Sequence, residues 1–287
     1  MVNNFFNISD LTKEEIFKVL KSNKGDKTLE SKSIGLLFEK HSTRTRLSFA
    51  VGISSLGGNA VDIRFEELNY GRYESFEDTF RAMDCYLDGL IYRTDDHRKL
   101  LDASSYFKKP IINALSEVSH PCQSLSDLFT LNEHFGSLNC HILWMGDMNN
   151  VCYSLIEAVN TIEELSLTIC TPSSISKSKD WKLNSKISVV ESLENTLLDS
   201  VNCVMTDVFL SMNDDKNDEK VLTLKNYCVT SNLMLKTHPN SVFMHCLPAK
   251  VGFEVSDEVF RSDKSIVWRQ AYNRMVAQKK LLQYIYQ

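Results

Sequence analysis

The chain has 287 residues, of which 43% are hydrophobic and 24% charged, a composition typical of globular proteins. Its formal net charge is −5 and it carries no basic stripe, so we expect no nucleic-acid partner. No apolar run approaches the roughly 18 residues that a membrane-spanning helix needs, and we expect no membrane association.

The N-terminal segment and the cysteines indicate a reducing compartment. Residues 1–6 contain neither a basic segment nor an arginine, which argues against a targeting sequence and favours the cytoplasm. The eight cysteines include no C-x-x-C pair, and the seven histidines form no metal-ligand motif such as HExxH. We therefore expect reduced thiols, no metal and no cofactor.

Strands and helices alternate in the first half of the chain. A helix is predicted after Ser42, because apolar residues recur from Leu47 to Leu56 before two glycines end the pattern. Ser75 and Asp78 resemble a capping box that opens a second helix. The other predicted elements of this half are strands over 60–63, 89–92 and 109–113 and a helix over 121–134.

A second alternating series follows Gly136. It comprises predicted strands over 140–145, 165–170, 187–190, 202–205 and 242–245, and helices over 151–163 and 267–285. Residues 213–220 are polar and charged and are predicted to form a solvated loop. Two βα series predict an α/β fold of two lobes, each a parallel sheet with helices on both faces. We place the domains at 1–135 and 136–287, with the last helix crossing back to the first lobe.

The run Ser42-Thr43-Arg44-Thr45-Arg46 has the chemistry of a phosphate site. The first N–H groups of a helix are unpaired, and the helix dipole favours an anion at this end. Arginine adds a planar fork that grips phosphate through two bonds. The competing interpretation is a simple N-cap followed by solvated arginines. If the run binds phosphate, the substrate is a small phosphorylated molecule.

Polar residues also follow the predicted strands, where ligands bind in open α/β sheets. Each has an ordinary structural interpretation as well: a capped helix for His120 and Gln123, a loop cap for Asp207, and a buried strand end for Cys246. The residues that follow strands, His120 after a short loop, are Arg93, His120, Asp147, Asn150, Asp207 and Cys246. Five polar clusters follow five strands, which is more than we expect if polar residues were scattered at random over the surface.

Taken in order, these motifs resemble those of the aspartate/ornithine carbamoyltransferase family over about residues 5–283. Ser-Thr-Arg-Thr-Arg and His120-Pro-x-Gln123 mark the superfamily, whereas Asp207 with Ser211-Met212 and His245-Cys246-Leu247-Pro248 mark its ornithine branch. The resemblance implies carbamoyl transfer from carbamoyl phosphate to the δ-amine of ornithine, giving citrulline. It also implies a homotrimer, with residues 69–75 reaching a neighbouring site.

The resemblance assigns residues to each substrate. The first domain would bind carbamoyl phosphate and the second ornithine, with Asn150, Asp207, Ser211 and Met212 around the amino acid. Residues implied in catalysis are Arg93, His120, Gln123, Cys246 and Arg274. Residues implied in carbamoyl phosphate binding are Ser42, Thr43, Arg44, Thr45, Asn69, Arg93, His120, Gln123, Cys246, Leu247 and Arg274.

Three alternatives stay open at this point. A relative acting on putrescine or N-acylated ornithine would share the chemistry, and a non-catalytic paralogue would keep only the binding site. A nicotinamide dehydrogenase is disfavoured, because residues 146–150 lack the G-x-G-x-x-G turn. The chain departs from the family pattern at Asn69, Asn213, Val251 and Tyr272, where the family usually has Gln, Gly, Arg and Glu.

Overall fold

The computed structural model describes residues 4–22, 25, 27–71, 73–177, 181–209 and 218–287. Contacts divide the chain into two units. One comprises Met1–Phe129 together with Asn273–Gln287, and the other comprises Thr130–Tyr272. In the described residues no helix is both long and apolar enough to cross a membrane.

The first unit is built on a parallel sheet with strand order β2-β1-β3-β4. The inner strands are buried on both faces and therefore appear in the sequence as short continuous apolar runs. Its strands are β1 (Ser33–Phe38), β2 (Asn59–Arg64), β3 (Gly89–Arg93) and β4 (Ile111–Leu115). Every residue of β2 is at least partly exposed, which fits its place at the edge of the sheet.

Five helices of the first half connect or flank these strands. They are α1 (Lys13–Lys21), α2 (Thr43–Ser55), α3 (Phe76–Tyr86), α4 (His97–Tyr106) and α5 (Pro121–Phe135), the last of which runs from the first unit into the second. Phe80 of α3 and Leu100 of α4 pack with Leu37, Leu90 and Tyr92 of the sheet in one buried cluster.

The second unit has a five-stranded parallel sheet with order β7-β6-β5-β8-β9. Its strands are β5 (His141–Met145), β6 (Ser166–Cys170), β7 (Ile187–Val190), β8 (Cys203–Thr206) and β9 (Val242–His245). Its helices are α6 (Asn150–Thr161), α7 (Ser173–Ser176), α8 (Asp218–Leu224), α9 (Ser231–Lys236) and α10 (Asp257–Phe260). Leu143, Val204 and Phe243 of three adjacent strands share a core with Val255 and Val267.

The final helix, α11 (Val267–Ile285), joins the first unit from Asn273 onward. Tyr284 donates a hydrogen bond of 2.7 Å to Glu15 of α1, and Tyr286 donates one of 2.9 Å to the carbonyl of Asp88. A side chain at Gly52 of α2 would lie 3.3 Å from Lys279 Cγ, so α2 and α11 pack closely. The predicted fold class, two parallel sheets with a returning C-terminal helix, is confirmed.

Two local predictions need correction or addition. The loop prediction for residues 213–220 is wrong at its end, because α8 begins at Asp218; residues 213–217 lie outside the described part of the chain. Strand β1 was not predicted, although it lies inside the first sheet between β2 and β3.

Candidate active site

The start of α2 has the groups that an anion would bind. Ser42 is the N-cap residue, yet its side chain makes no capping hydrogen bond. Thr43 and Arg44 of the first turn are exposed, whereas Thr45 is buried. The first-turn N–H groups and the Ser42 hydroxyl are therefore not engaged with each other, in contrast to the N-cap interpretation of this motif.

Because the Ser42 hydroxyl does not cap its helix, its removal should affect stability differently from the removal of a hydroxyl that does. Ser75 does cap its helix, accepting the N–H of Asp78 at 3.1 Å. We expect Ser75→Ala to lower the free energy of unfolding by about 1 kcal/mol. Ser42→Ala should leave the free energy of unfolding unchanged and weaken the binding of a phosphorylated substrate. Urea unfolding and KM measurements on both variants check this, and an equal loss of stability would restore the capping interpretation.

Arg274 of α11 connects three predicted site residues of the first unit. Its Nη1 donates to Gln123 Oε1 at 2.5 Å, and its Nη2 lies 2.8 Å from both Thr45 Oγ1 and His120 Nε2. The side-chain amide of Gln123 in turn donates a hydrogen bond of 2.8 Å to the carboxylate of Asp127. The structure thus joins the first turn of α2, the start of α5 and α11 through one buried guanidinium group.

Arg93, at the end of β3, is 8% exposed and lies in a field of like charge. Burial lowers the pKa of Arg93, the charges of Arg274 and Arg44 lower it further, and the charge of Asp95 opposes them. Within the described residues, no hydrogen-bond acceptor lies at its buried Nε. Three guanidinium groups near each other are costly unless an anion compensates them, so this region of the unit suits a dianion.

His120 is neutral in this environment. Burial, followed by the charges of Arg274, Arg93 and Arg44, holds the pKa of its imidazole well below the ordinary value. Arginine can only donate hydrogen bonds, so Nε2 of His120 accepts from Arg274 and the ring proton resides on Nδ1. A neutral imidazole with a fixed tautomer can donate to a carbonyl oxygen without adding charge.

The lowered pKa of His120 makes stability depend on pH. In the unfolded chain the imidazole binds a proton near pH 6.5, but the folded protein resists this protonation. The contribution of neutral His120 to the free energy of unfolding is therefore fully present above that pH, and it is lost as the pH falls below it. We expect the melting temperature of the wild type to fall more steeply between pH 7 and pH 5 than that of His120→Asn. Parallel curves would contradict this account of His120.

In the second unit, three segments that follow strands meet at one carboxylate. Asp207, after β8, accepts hydrogen bonds from Asn149 Nδ2 at 2.7 Å, Cys246 Sγ at 2.9 Å and its neighbour's N–H at 2.8 Å. Asn149 also caps α6, accepting from Val151 N and Cys152 N. Asp207 is 8% exposed, and such a carboxylate can pair with an ammonium group.

The only group of three or more metal-ligand residues in the described residues is Asp207, His245 and Cys246, with donor atoms within 4.8 Å of one another. Both ring nitrogens of His245 are already engaged, Nδ1 with the N–H of Leu247 at 2.9 Å and Nε2 with Glu254 at 3.3 Å. A metal would have to break one of these bonds, so the donor set does not fit one. The bonds instead hold Leu247, whose φ is +59°.

The remaining predicted residues are distributed as follows. Asn69 is exposed, and its carbonyl accepts the N–H groups of Tyr73 and Glu74 in a turn. Asn150 is the first residue of α6. Cys246 and Leu247 belong to the second unit, and Ser211 and Met212 lie outside the described residues. Asn149 and Asp127, which bind Asp207 and Gln123, were not among the predicted site residues.

Known proteins match the chain along its whole length. The sequence model of the aspartate/ornithine carbamoyltransferase carbamoyl-P binding domain matches residues 3–133, and that of the Asp/Orn binding domain matches residues 138–285. The chain belongs to the aspartate/ornithine carbamoyltransferase family.

Several similar proteins of this family are named ornithine carbamoyltransferase. The chain is 36% identical to the ornithine carbamoyltransferase of Ruthia magnifica over 99% of both chains, and 38% identical to that of Hydrogenovibrio crunogenus over 94% of this chain and 90% of the relative. It superposes on the ornithine carbamoyltransferase of Pyrococcus furiosus with a TM-score of 0.87 at 31% identity, covering 98% of this chain and 96% of that one. It superposes on the ornithine carbamoyltransferase of Thermus thermophilus with a TM-score of 0.87 at 27% identity, covering 100% of both chains.

Proposed function

We propose that the protein transfers the carbamoyl group of carbamoyl phosphate to the δ-amine of L-ornithine, giving L-citrulline and phosphate. The lone pair of the amine attacks the carbonyl carbon, and the bond from that carbon to the phosphate oxygen breaks with its electrons leaving on phosphate. The amine nitrogen then loses one proton. Because no covalent intermediate is needed, Cys246 is not assigned as a nucleophile.

We assign carbamoyl phosphate to the first unit. Ser42, Thr43, Arg44 and Thr45 bind the phosphate through hydroxyls, first-turn N–H groups and a guanidinium. Arg93, His120 and Gln123 surround the carbamoyl end, with Arg274 tying these groups to Thr45. The carbonyl oxygen becomes negative in the tetrahedral transition state, and donors fixed in advance stabilise that charge.

We assign ornithine to the second unit. Asp207 pairs with the α-ammonium group, and Asn150 with Ser211 and Met212 completes the contacts to the amino acid. The attacking amine has an ordinary pKa of about 10.4, so it must lose its proton before it reacts. A dry environment near cations favours the neutral amine.

The observation that carries this proposal is the buried guanidinium of Arg274, which binds Thr45, His120 and Gln123 while the charges of Arg93 and Arg44 act on the same histidine. The test is a citrulline assay with carbamoyl phosphate and ornithine, run beside putrescine and N-acetylornithine. We expect product with ornithine in large excess over the other amines. If only putrescine or N-acetylornithine is converted, that amine is the substrate in place of ornithine. If no amine is converted, the protein is a non-catalytic paralogue.

We further propose that the protein is a cytoplasmic homotrimer acting in arginine biosynthesis. The eight cysteines are all unpaired, which suits a reducing compartment. On α2, Leu47 and Val51 are 59% and 52% exposed. Leu47 also lines a cavity of about 560 Å³ together with Phe38 and the basic residues Lys40, Arg46 and Arg64. An exposed apolar surface beside this cavity suits contact with a second copy of the chain.

The assembly is tested by light scattering. We expect a mass three times that of the 32.8 kDa chain. Val51→Lys should dissociate the assembly, because it places a charge in the apolar contact. Leu101→Lys, at a position on α4 that is 50% exposed, is the matched control and should leave the mass unchanged. An unchanged mass for Val51→Lys would remove α2 from the subunit contact.

A further inference from the structure

Glu39 is a buried carboxylate beside the phosphate motif that the proposed reaction does not use. It follows β1 directly, and its side chain is 8% exposed. Tyr92 donates its hydroxyl to Oε1 at 2.6 Å, and Thr94 donates its hydroxyl to Oε2 at 3.0 Å. Lys99 of α4 lies 3.1 and 3.0 Å from the two oxygens. A buried carboxylate with this many donors is held in one orientation.

These contacts involve the two residues on either side of Arg93 in the chain. The backbone N–H of Glu39 donates to the carbonyl of Arg93 at 3.0 Å, and the side-chain carboxylate binds the residues on either side of it. Side chains of an extended strand alternate between its two faces. Tyr92 and Thr94 therefore lie on the side of Glu39, and Arg93 is directed to the opposite side.

The side chain of Arg93 needs other contacts to hold it in place, because burial and nearby like charges make its position unfavourable. It is buried, and the charges of Arg274 and Arg44 repel it. The strand around it is also irregular, because the pairing of β3 with β4 shifts register between Tyr92 and Arg93. A second tie between the same segments, Lys40 with Asp95 at 2.9 Å, is 50% and 40% exposed and contributes little.

We propose that Glu39 is a positioning residue, which holds Arg93 at the carbamoyl end of the site by fixing both of its neighbours on the strand. This inference rests on the proposed function for its consequence in catalysis. Its structural content, the coupling of Glu39 to anion binding through Arg93, can be measured without turnover. Through its backbone position Glu39 also links Arg93 to the loop that leads to Ser42.

The first experiment compares Glu39→Ala with the wild type. We expect kcat/KM for carbamoyl phosphate to fall by about 100-fold, because displacing a catalytic group by about 1 Å has an effect of this size. The KM for ornithine should change by less than about threefold. Asp88→Ala is the matched control: its carboxylate accepts the N–H of Ser33 at 2.8 Å, at the opposite end of the same two strands. It should affect melting temperature but not kcat/KM.

A double-mutant cycle then tests whether Glu39 acts through Arg93. Calorimetry measures the Kd of phosphonoacetamide, the methylene isostere of carbamoyl phosphate, for wild type, Glu39→Ala, Arg93→Ala and the double variant. We expect Glu39→Ala to weaken binding at least tenfold in the wild type and by less than twofold once Arg93 is absent. Equal losses in both backgrounds, or a lower melting temperature with unchanged Kd, would overturn the proposal.

A milder variant keeps the test decisive if Glu39→Ala does not fold. Thr94→Val deletes one hydroxyl contact while preserving the shape of the side chain, and it should weaken phosphonoacetamide binding several-fold only when Arg93 is present. A wild type that binds phosphonoacetamide but forms no citrulline would refute the proposed reaction, while the cycle would still decide the role of Glu39.

Discussion

Arg93→Ala should lower kcat/KM for carbamoyl phosphate by about 10²–10³, the usual effect of losing one donor to a transition-state oxyanion. The same change should leave the melting temperature unchanged or raise it. Arg93 is buried beside the like charges of Arg274 and Arg44, and no acceptor in the described part of the chain lies at its Nε, so its removal relieves repulsion in the free protein. Steady-state kinetics and thermal melting on one preparation measure both effects.

Arg98→Ala is the control for this result. Arg98 lies near Arg93 in the chain, but it is exposed and binds Asp96 through its own surface pair at 3.0 Å. Its removal should change kcat/KM by less than about threefold. A similarly small change for Arg93→Ala would contradict the assignment of this residue to the reacting group. A lower melting temperature would instead indicate that Arg93 supports the fold.

The sequence predicted most of the framework because the inner strands are buried on both faces. Strands such as β3 and β5 appear as short apolar runs between polar segments, and their predicted bounds agree with the structure to within one residue. Parallel strands end at one edge of the sheet, so polar residues after different strands converge there. Asp207 and Cys246 follow neighbouring strands and do form a hydrogen bond.

Contacts distant in sequence were not predictable in the same way. Asn149 has the sequence signature of an ordinary helix cap and fills that role, yet its amide nitrogen also binds Asp207. Asp127 lies within α5 and shows no motif, although it orients Gln123. The polar stretch before α8 suggested a loop, whereas Lys220 of this helix binds Asp147 at 2.8 Å. In each case the partner is set by folding, not by local pattern.

Two departures from the family pattern have structural roles in the second unit. Tyr272, where the family usually has Glu, lies beneath the guanidinium of Arg269 at 5.2 Å. Val251 forms a bridge with Val255 around Gly252, whose φ of +89° favours glycine.

Asp207→Asn should raise the KM for ornithine by at least about 30-fold. Truncating one partner of a buried charge pair costs about 2–5 kcal/mol, and every 1.4 kcal/mol is a tenfold change. The variant keeps the size of the side chain but loses the charge that pairs with the α-ammonium group. The KM for carbamoyl phosphate should change by less than about threefold, since the residues proposed to bind its phosphate and carbonyl groups belong to the first unit. Initial rates with each substrate varied in turn measure both constants.

The control is Asp257→Asn, which neutralises another carboxylate of the same unit. Asp257 is bound by Arg261 at 2.7 Å on an exposed helix, so its loss should leave both KM values unchanged. Thermal melting separates a binding effect from loss of fold, because Asn149 and Cys246 also donate to Asp207. Equal increases in both KM values, with an unchanged melting temperature, would contradict the assignment of one substrate to each unit. A selective rise for ornithine would make Asp207 the residue that selects the free amino acid.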